Sequence, residues 1–371
     1  MSETQDTEFS TGILPSQALA AAIAEGVIRA GPPVTAAQIQ PASLDLRLGA
    51  VAYRVRASFL PGPNATVRQR LDMVSMHEID LTQGAVLERH CVYIVPLLES
   101  MSLPRRVSGI ANPKSSTGRL DVFARLITDR GEEFDRVAEG YDGPLYAELS
   151  PRTFSVRVRT GTRLVQLRLR RGAPTASDTA LRRLHETVGL VDAEKGAENI
   201  KGGLAFTVDV AGDANGLVGW RARRHAPLVD VDLIGHYEPL DFWEPVLAGP
   251  ARSLILDPDD FYILASKESV VVPADHAAEM QAYDTLVGEF RVHYAGFFDP
   301  GFGAVETGGA GSRAVLEVRA HEVPFLIEDG QLIGRLVYER LTQRPDRLYG
   351  SSIGSTYQRQ GLKLGKQFRP A

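Results

Sequence analysis

The stretch YIVPLLESMSLP (Tyr93–Pro104) has a near copy later in the chain, YILASKESVVVP (Tyr262–Pro273). The tyrosine, the isoleucine, the Glu-Ser pair and the final proline recur in register, at an offset of 169 residues (262 minus 93). One such match could arise by chance in a chain of 371 residues. The question that it raises is whether the rest of the chain repeats at the same offset.

Two further matches share the offset. The segment GTRLVQLRLRR, which begins at Gly161, corresponds to GQLIGRLVYER, which begins at Gly330. Glu148, within LYAEL, likewise corresponds to Glu317, within AVLEV. Three matches at one offset predict a duplicated domain, whereas a solenoid would have shorter and more numerous units.

Each unit is predicted to be rich in strands. Polar and apolar residues alternate through TFSVRVRTGTRLVQLRLRR (153–171) and again through AVLEVRAHEVPFLI (314–327), which is the period of a half-buried strand. Glycine and proline interrupt these runs at short intervals. We therefore expect a mainly β fold of two tandem barrel-like units. The few helices include Pro15–Gly31 and Ser177–Val191.

The second of these helices lies in a polar stretch, where we place the junction between the units. The predicted organisation is a first β unit at 1–172, a helical linker at 173–202 and a second β unit at 203–371.

Composition excludes several classes of function. The net charge of -5 argues against a protein that binds nucleic acid polymers. The single cysteine, Cys91, can form neither an internal disulfide nor a multi-thiolate zinc site. The N-terminus is polar and acidic, and no apolar run approaches the roughly 18 residues of a membrane span. We expect a cytoplasmic protein without membrane contact.

Four segments together resemble the dCTP deaminases of the trimeric dUTPase superfamily. They are QPASLDLRLG (Gln40–Gly49), KSSTGRL (Lys114–Leu120), YDGPLYAEL (Tyr141–Leu149) and YGSSIGSTYQRQG (Tyr349–Gly361). The second segment has lysine and threonine where the family has arginine and leucine.

The resemblance implies a distorted jelly-roll fold and a homo-oligomer with active sites between barrels. It also implies hydrolytic deamination of dCTP to dUTP, with Mg²⁺ carried on the triphosphate and no zinc. The sequence lacks the combined pattern of zinc deaminases, a His-x-Glu together with Pro-Cys-x-x-Cys, because it has only one cysteine. Feedback inhibition by dTTP is a further property that the family suggests.

The same resemblance assigns roles to individual residues. Glu148 is the predicted general base, since a carboxylate in a partly dry pocket has a pKa near the working pH. Ser115 and Arg119 would hold the water and offset developing charge. Lys114 and Ser116 would face the phosphates. On spacing alone, a structural ion pair is the more common role for a glutamate such as Glu148.

The glycine-rich tail is expected to fold over the nucleotide. Its predicted nucleotide contacts are Tyr349, Tyr357 and Gln360. Thr356 stands where the family has a lysine, a role that Lys363 or Lys366 could take.

The second unit has lost part of the site. The segment MQAYDTLVGEF stands where the Lys-Ser-Ser-x-x-Arg motif should recur, and it contains no arginine. Two assemblies follow: Ser115 and Arg119 could meet Glu148 of another chain, or Glu317 could serve as the alternative base.

Two other functions stay open. A dUTP diphosphatase, or a bifunctional enzyme that forms dUMP, would need an aspartate base; the aligned position is Ala138 in the first unit and Asp299 in the second. Asp135 or Asp142 could stand in. A nucleotide-binding regulator without catalysis is the remaining alternative, and it would use the degenerate second unit.

Overall fold

The structure is a computed structural model that describes residues 9–192, 199–282, 290–292, 296–320, 322–350 and 361–370. It confirms the mainly β prediction, since twenty-five strands are described and the α-helices are five and short. The described helices are α1 (Ser16–Ala24), α2 (Val67–Val74), α3 (Ser115–Gly118), α4 (Asp178–Val188) and α5 (Pro239–Phe242), with a 3-10 turn at Val305–Thr307. None of the described helices is long and apolar enough to cross a membrane.

Thirteen strands are described in the first unit. They are β1 (Gly12–Ile13), β2 (Ile28–Ala30), β3 (Leu44–Arg47), β4 (Val51–Val55), β5 (Ser75–Asp80), β6 (Ala85–Leu87), β7 (Val92–Ser102), β8 (Val107–Pro113), β9 (Val122–Thr128), β10 (Arg136–Val137), β11 (Asp142–Pro151), β12 (Val156–Val158) and β13 (Arg163–Arg171).

Twelve more strands are described in the second unit. They are β14 (Leu204–Thr207), β15 (Leu217–Ala222), β16 (Val229–Asp230), β17 (Trp243–Leu247), β18 (Ser253–Leu256), β19 (Phe261–Val270), β20 (His276–Ala282), β21 (Phe290–Val292), β22 (Phe297–Phe298), β23 (Ser312–Ala320), β24 (Phe325–Glu328) and β25 (Leu332–Arg340).

The two units have the same sheet topology. The order β5-β4-β7-β11-β9 in the first unit is matched by β17-β15-β19-β23-β21 in the second. The three strands β13-β8-β10 are likewise matched by β25-β20-β22, and the pair β6-β12 is matched by β18-β24. Strands β13 and β25 both follow the predicted offset, since Arg163 and Arg171 correspond to Leu332 and Arg340. The prediction of two tandem β units is therefore confirmed.

The prediction of one long helix at Pro15–Gly31 is wrong. Helix α1 ends at Ala24, and Gly26 adopts the left-handed conformation (φ +73°) that stops it. The residues that follow form β2, which pairs with β7 instead of continuing the helix. The other predicted helix is observed as α4, with the Ser177 hydroxyl accepting the Ala180 N–H at 3.3 Å as its N-cap.

The main hydrophobic core of the first unit extends into the second unit, which also has a separate core cluster of its own. Strand β12 of the first unit pairs in parallel with β16 of the second. The main cluster of buried apolar side chains contains Leu126 and Phe154 from the first unit together with Trp243 and Phe261 from the second. Phe368, near the C-terminus, belongs to the same cluster. Consequently, residues far apart in sequence meet at the boundary between the units.

Candidate functional site

The Lys-Ser-Ser motif forms one tight turn between β8 and β9. Ser115 begins α3, and its carbonyl accepts the N–H of Arg119 at 3.0 Å. The turn is fixed to β13, since the Lys114 N–H and the Thr117 hydroxyl both donate to the carbonyl of Leu164, at 2.9 and 3.0 Å. The motif is therefore held rigidly, with Ser115 half-buried and Arg119 buried.

The carboxylate beside Arg119 comes from the second unit. Arg119 Nε lies 3.7 Å from Glu317 Oε1, and these side chains are only 3% and 6% exposed. Arg119 Nη1 also donates to the carbonyl of Lys363 at 2.8 Å. The first unit, the second unit and the C-terminal segment thus meet at one arginine.

Burial changes the acidity of this glutamate. Removal from water raises the pKa of Glu317 to about 7, and the positive charge of Arg119 opposes that rise. The nearby carboxylate of Asp121 adds to it. A carboxyl group that titrates near neutral pH can both accept a proton and return it, as general acid–base catalysis requires.

Glu148 lies in a different set of contacts. It is directly opposite Arg125 in the β11–β9 pairing, and Arg125 Nη2 lies 2.5 Å from Oε1. The Ser58 hydroxyl donates to Oε2 at 2.6 Å, so both carboxylate oxygens are engaged. The guanidinium of Arg125 stacks on Phe134 at 3.8 Å. Within one chain, the structure therefore places Glu317, and not Glu148, beside Arg119.

Sequence reasoning did not identify Arg125 or Ser58. A signal for Arg125 did exist, since β9 and β11 are adjacent antiparallel strands, on which a cation and an anion that lie opposite each other can pair. No comparable pattern marks Ser58, which lies 90 residues away in the sequence.

A polar cavity adjoins the motif on its other side. Lys114, Ser116, Arg163 and Lys366 line this cavity of about 180 Å³. Lys114 is ion-paired with the buried Asp45, whose Oδ2 also lies 3.5 Å from Arg163. Burial lowers the pKa of Lys366, and the positive charges of Lys114 and Arg163 lower it further. A second carboxylate, Asp232, also lines the cavity, but it is ion-paired with another arginine at 2.6 Å. The charges around the cavity therefore leave a positive balance that suits an anion.

The predicted tail residues are only partly described. The backbone N–H of Tyr349 donates to the carbonyl of Pro300 at 2.9 Å, and its ring lies 5.8 Å from that of Phe302. Tyr357 and Gln360 lie outside the described residues, as does Thr356.

The aspartates considered for a diphosphatase differ in their surroundings. Asp299 is buried and lies 3.2 Å from the fully buried Arg168. The carboxylate of Asp135 accepts the Leu126 N–H at 2.7 Å, and burial raises its pKa to about 7. Asp142 is exposed and pairs with Arg29. In the described part of the chain, no group of three or more His, Cys, Asp or Glu side chains is arranged to hold a metal ion.

Comparison with known families gives two matches that together cover most of the chain. The family model for the 2'-deoxycytidine 5'-triphosphate deaminase N-terminal domain matches residues 10–173. The model for the C-terminal domain of the same deaminase matches residues 177–368.

Solved and curated relatives point the same way. The crystal structure of 2'-deoxycytidine 5'-triphosphate deaminase from Agrobacterium tumefaciens is 54% identical, with a TM-score of 0.86. The alignment covers 91% of this chain and 100% of that one. Proteins named "dCTP deaminase, dUMP-forming" are 37% identical over 110 residues in Halobacterium salinarum and 32% over 114 residues in Beutenbergia cavernae. These matches cover 29% and 30% of this chain, and the chain spans only about half the length of these two relatives (52% and 56%).

Proposed function

The chain belongs to the dCTP deaminase family, and we propose that it hydrolyses dCTP at C4 of the cytosine, giving dUTP and ammonia. The observation that carries this proposal is the contact between Arg119 of the Lys-Ser-Ser motif and the buried Glu317. It brings the two parts of the expected catalytic set together at the boundary between the units.

The reaction needs one residue that takes a proton and returns it. Glu317, as carboxylate, removes a proton from a water molecule while the water oxygen bonds to C4. The protonated Glu317 then donates to the amino group, and the C4–N bond breaks as ammonia leaves. Ser115 and Arg119 orient the water and balance the charge that develops, a contribution of roughly 3 kcal/mol per well-placed donor.

The cationic cavity supplies the other half of substrate recognition. Lys114, Arg163 and Lys366 would hold the triphosphate, with the Ser116 hydroxyl as a neutral donor. Mg²⁺ enters with the nucleotide as part of the substrate, and the deamination itself uses no zinc. Inhibition by dTTP, a homo-oligomer and a cytoplasmic location are further proposals that come from the family and the composition alone.

A second candidate is favoured by the names of the curated relatives, which are dUMP-forming. Such an enzyme would also cleave the bond between the α- and β-phosphates, using a water activated by an aspartate. Asp299 lies close enough to Lys114 of the cationic cavity to feel its charge, although its carboxylate is also bound to Arg168. Asp135 instead lies near Arg125 and Glu148. We propose dUTP as the product and keep dUMP as the alternative.

The experiment is an incubation with dCTP and Mg²⁺, with products separated by ion exchange. The wild-type protein should release dUTP and ammonia. Glu317→Gln should lose at least about 10³-fold in kcat, because the amide cannot take the proton. Glu148→Gln is the matched control, since it also neutralises a buried glutamate on the equivalent strand.

Three results would revise the proposal. Loss of activity in Glu148→Gln alone would place the base in the first unit, at a site shared between chains. Release of dUMP and pyrophosphate would establish the second candidate. Binding of dCTP without any turnover would leave a nucleotide-binding regulator.

A further inference from the structure

A second ion pair lies two residues further along each segment than the pair of Arg119 and Glu317. Its charges are reversed, because the first unit supplies the carboxylate of Asp121 and the second unit supplies the cation of Arg319. Arg319 Nη2 is bonded to a carboxylate oxygen of Asp121, and Thr153 donates to the same carboxylate at 2.5 Å. Arg319 Nη2 also donates to the Thr153 hydroxyl at 2.9 Å. Asp121 is fully buried and Arg319 is 8% exposed. The first unit therefore contributes a cation and an anion, and the second unit contributes their counterparts.

The backbone explains why the two pairs act together. Glu317 and Arg319 are separated by one residue on β23, so their side chains project from the same face of the sheet. Asp121 follows Arg119 by two residues and has a left-handed backbone (φ +54°), which is uncommon for a residue other than glycine. That conformation persists because the surrounding contacts hold it.

The replacement of a buried ion pair by well-packed apolar residues is often neutral or even stabilising, so the burial of this pair is weak evidence for a stabilising role. We propose that Asp121 and Arg319 are positioning residues that keep Glu317 in register with Arg119 across the boundary between the units. This role rests on the proposed function of Glu317. Neither residue touches the reacting atoms, and each acts through the glutamate.

The pair also sets the charge that Glu317 experiences. The charges of Arg119 and Asp121 from the first unit act directly on Glu317. Arg319 lies two residues away on the same strand, and Lys363 of the C-terminal segment lies beside Arg119. Removal of the Asp121 charge should lower the pKa of Glu317. Removal of Arg319 leaves the Asp121 carboxylate uncompensated and should raise the pKa of Glu317.

The test compares Asp121→Asn, Arg319→Gln and the conservative Arg319→Lys. The matched control is Arg170→Gln, which breaks another contact between the units, Arg170 with Glu339 at 3.5 Å. Arg170 pairs with Ser108, at the end of β13 remote from the Lys-Ser-Ser motif. Thermal unfolding, kcat, KM for dCTP and the pH dependence of kcat/KM are measured for each protein.

We expect Asp121→Asn and Arg319→Gln to reduce kcat by about 10- to 100-fold with little change in KM, since small displacements of a reacting group are costly. The acid limb of kcat/KM should move to lower pH in Asp121→Asn and to higher pH in Arg319→Gln. Arg319→Lys should recover part of the activity. The Arg170→Gln control should keep the wild-type kcat and acid limb.

A purely structural role would not move the acid limb of kcat/KM in opposite directions in Asp121→Asn and Arg319→Gln. Folded Asp121→Asn and Arg319→Gln proteins with the wild-type kcat and acid limb would overturn the inference. So would shifts in the same direction for both variants. If Glu317→Gln stays active, the proposed role of Glu317 as the base fails instead; if it is inactive while these variants behave as wild type, only the positioning role fails.

Discussion

At the scale of single residues, sequence reasoning identified the parts of the site but not how they combine. Ser115 and Arg119 were recognisable because a short motif carries them. Glu317 was recognisable because it is the equivalent of Glu148 in the second copy of the repeat. Which glutamate faces Arg119 depends on the packing of two units, which no local pattern encodes. Asp121 and Arg319 could not be found for the same reason.

The burial of Glu317 makes a prediction about stability. The pKa of Glu317 is raised from its ordinary 4.5 to about 7, so the folded protein binds its proton more tightly than the unfolded chain. This group's contribution to stability is fully present below pH 4.5 and is lost as the pH rises through 7. Glutamine resembles the protonated form at every pH.

We therefore expect Glu317→Gln to be more stable than wild type at pH 8, by roughly 1–3 kcal/mol, and to show little difference at pH 4.5. Urea unfolding at the two pH values measures both effects. A Gln variant that is less stable at pH 8 would contradict the account of the site as a costly buried carboxylate. A gain in stability with a loss of activity is the trade-off typical of functional sites.

At the scale of elements, strands were predictable and pairing partners were not. The alternation of polar and apolar residues in β13 and β25 predicts strands, because successive side chains point to opposite faces of a sheet and meet different environments. The parallel pair β12–β16 joins Val156 to Val229, and neither segment carries a signal for the other. The end of α1 could not be predicted from the apolar pattern, because that pattern continues past Gly26, where the helix has already ended.

The C-terminal segment gives an element-scale prediction. Phe368 is 5% exposed and lies within ring contact of Phe242 (5.3 Å), Trp243 (5.8 Å) and Tyr237 (6.2 Å). Its removal in Phe368→Ala should cost about 3–5 kcal/mol in the free energy of unfolding.

The same variant should lower kcat, because the segment that it anchors supplies the Lys363 carbonyl bonded to Arg119. The neighbouring Arg369→Ala removes an exposed side chain and is the control, with both quantities near wild type. Urea unfolding and the dCTP assay test the pair of variants. Equal stability of the Phe368 and Arg369 variants would show that the segment is not anchored in this way.

At the scale of the whole molecule, the duplication was predictable, but the extension of the first unit's core into the second unit was not. The offset of 169 residues was sufficient to indicate two units of one topology. A sequence read as two tandem domains, however, suggests two cores. In the structure, the second unit has a core cluster of its own, but some of its apolar residues join the core of the first unit, and the buried ion pair between Arg119 and Glu317 spans the same boundary.

Because the core of the first unit extends into the second, we expect the two units to unfold together. Trp220 and Trp243, the chain's two tryptophans, both belong to the second unit and are 6% and 0% exposed. Trp243 packs against Phe154 of the first unit, with ring centroids 5.3 Å apart. Tryptophan fluorescence should therefore report the boundary, while far-UV circular dichroism reports the strands of both units. At one protein concentration, we expect the two signals to give coincident transitions in urea.

The variant Phe154→Ala makes this prediction sharper. The substitution removes a buried side chain from the first unit and should cost about 3–5 kcal/mol. If the units are thermodynamically coupled, the fluorescence and circular dichroism midpoints will fall together, although both tryptophans lie in the other unit. If the fluorescence midpoint stays at its wild-type value while the circular dichroism splits into two steps, the units fold independently. The register of Glu317 against Arg119 would then depend on a separate docking equilibrium between two folded units.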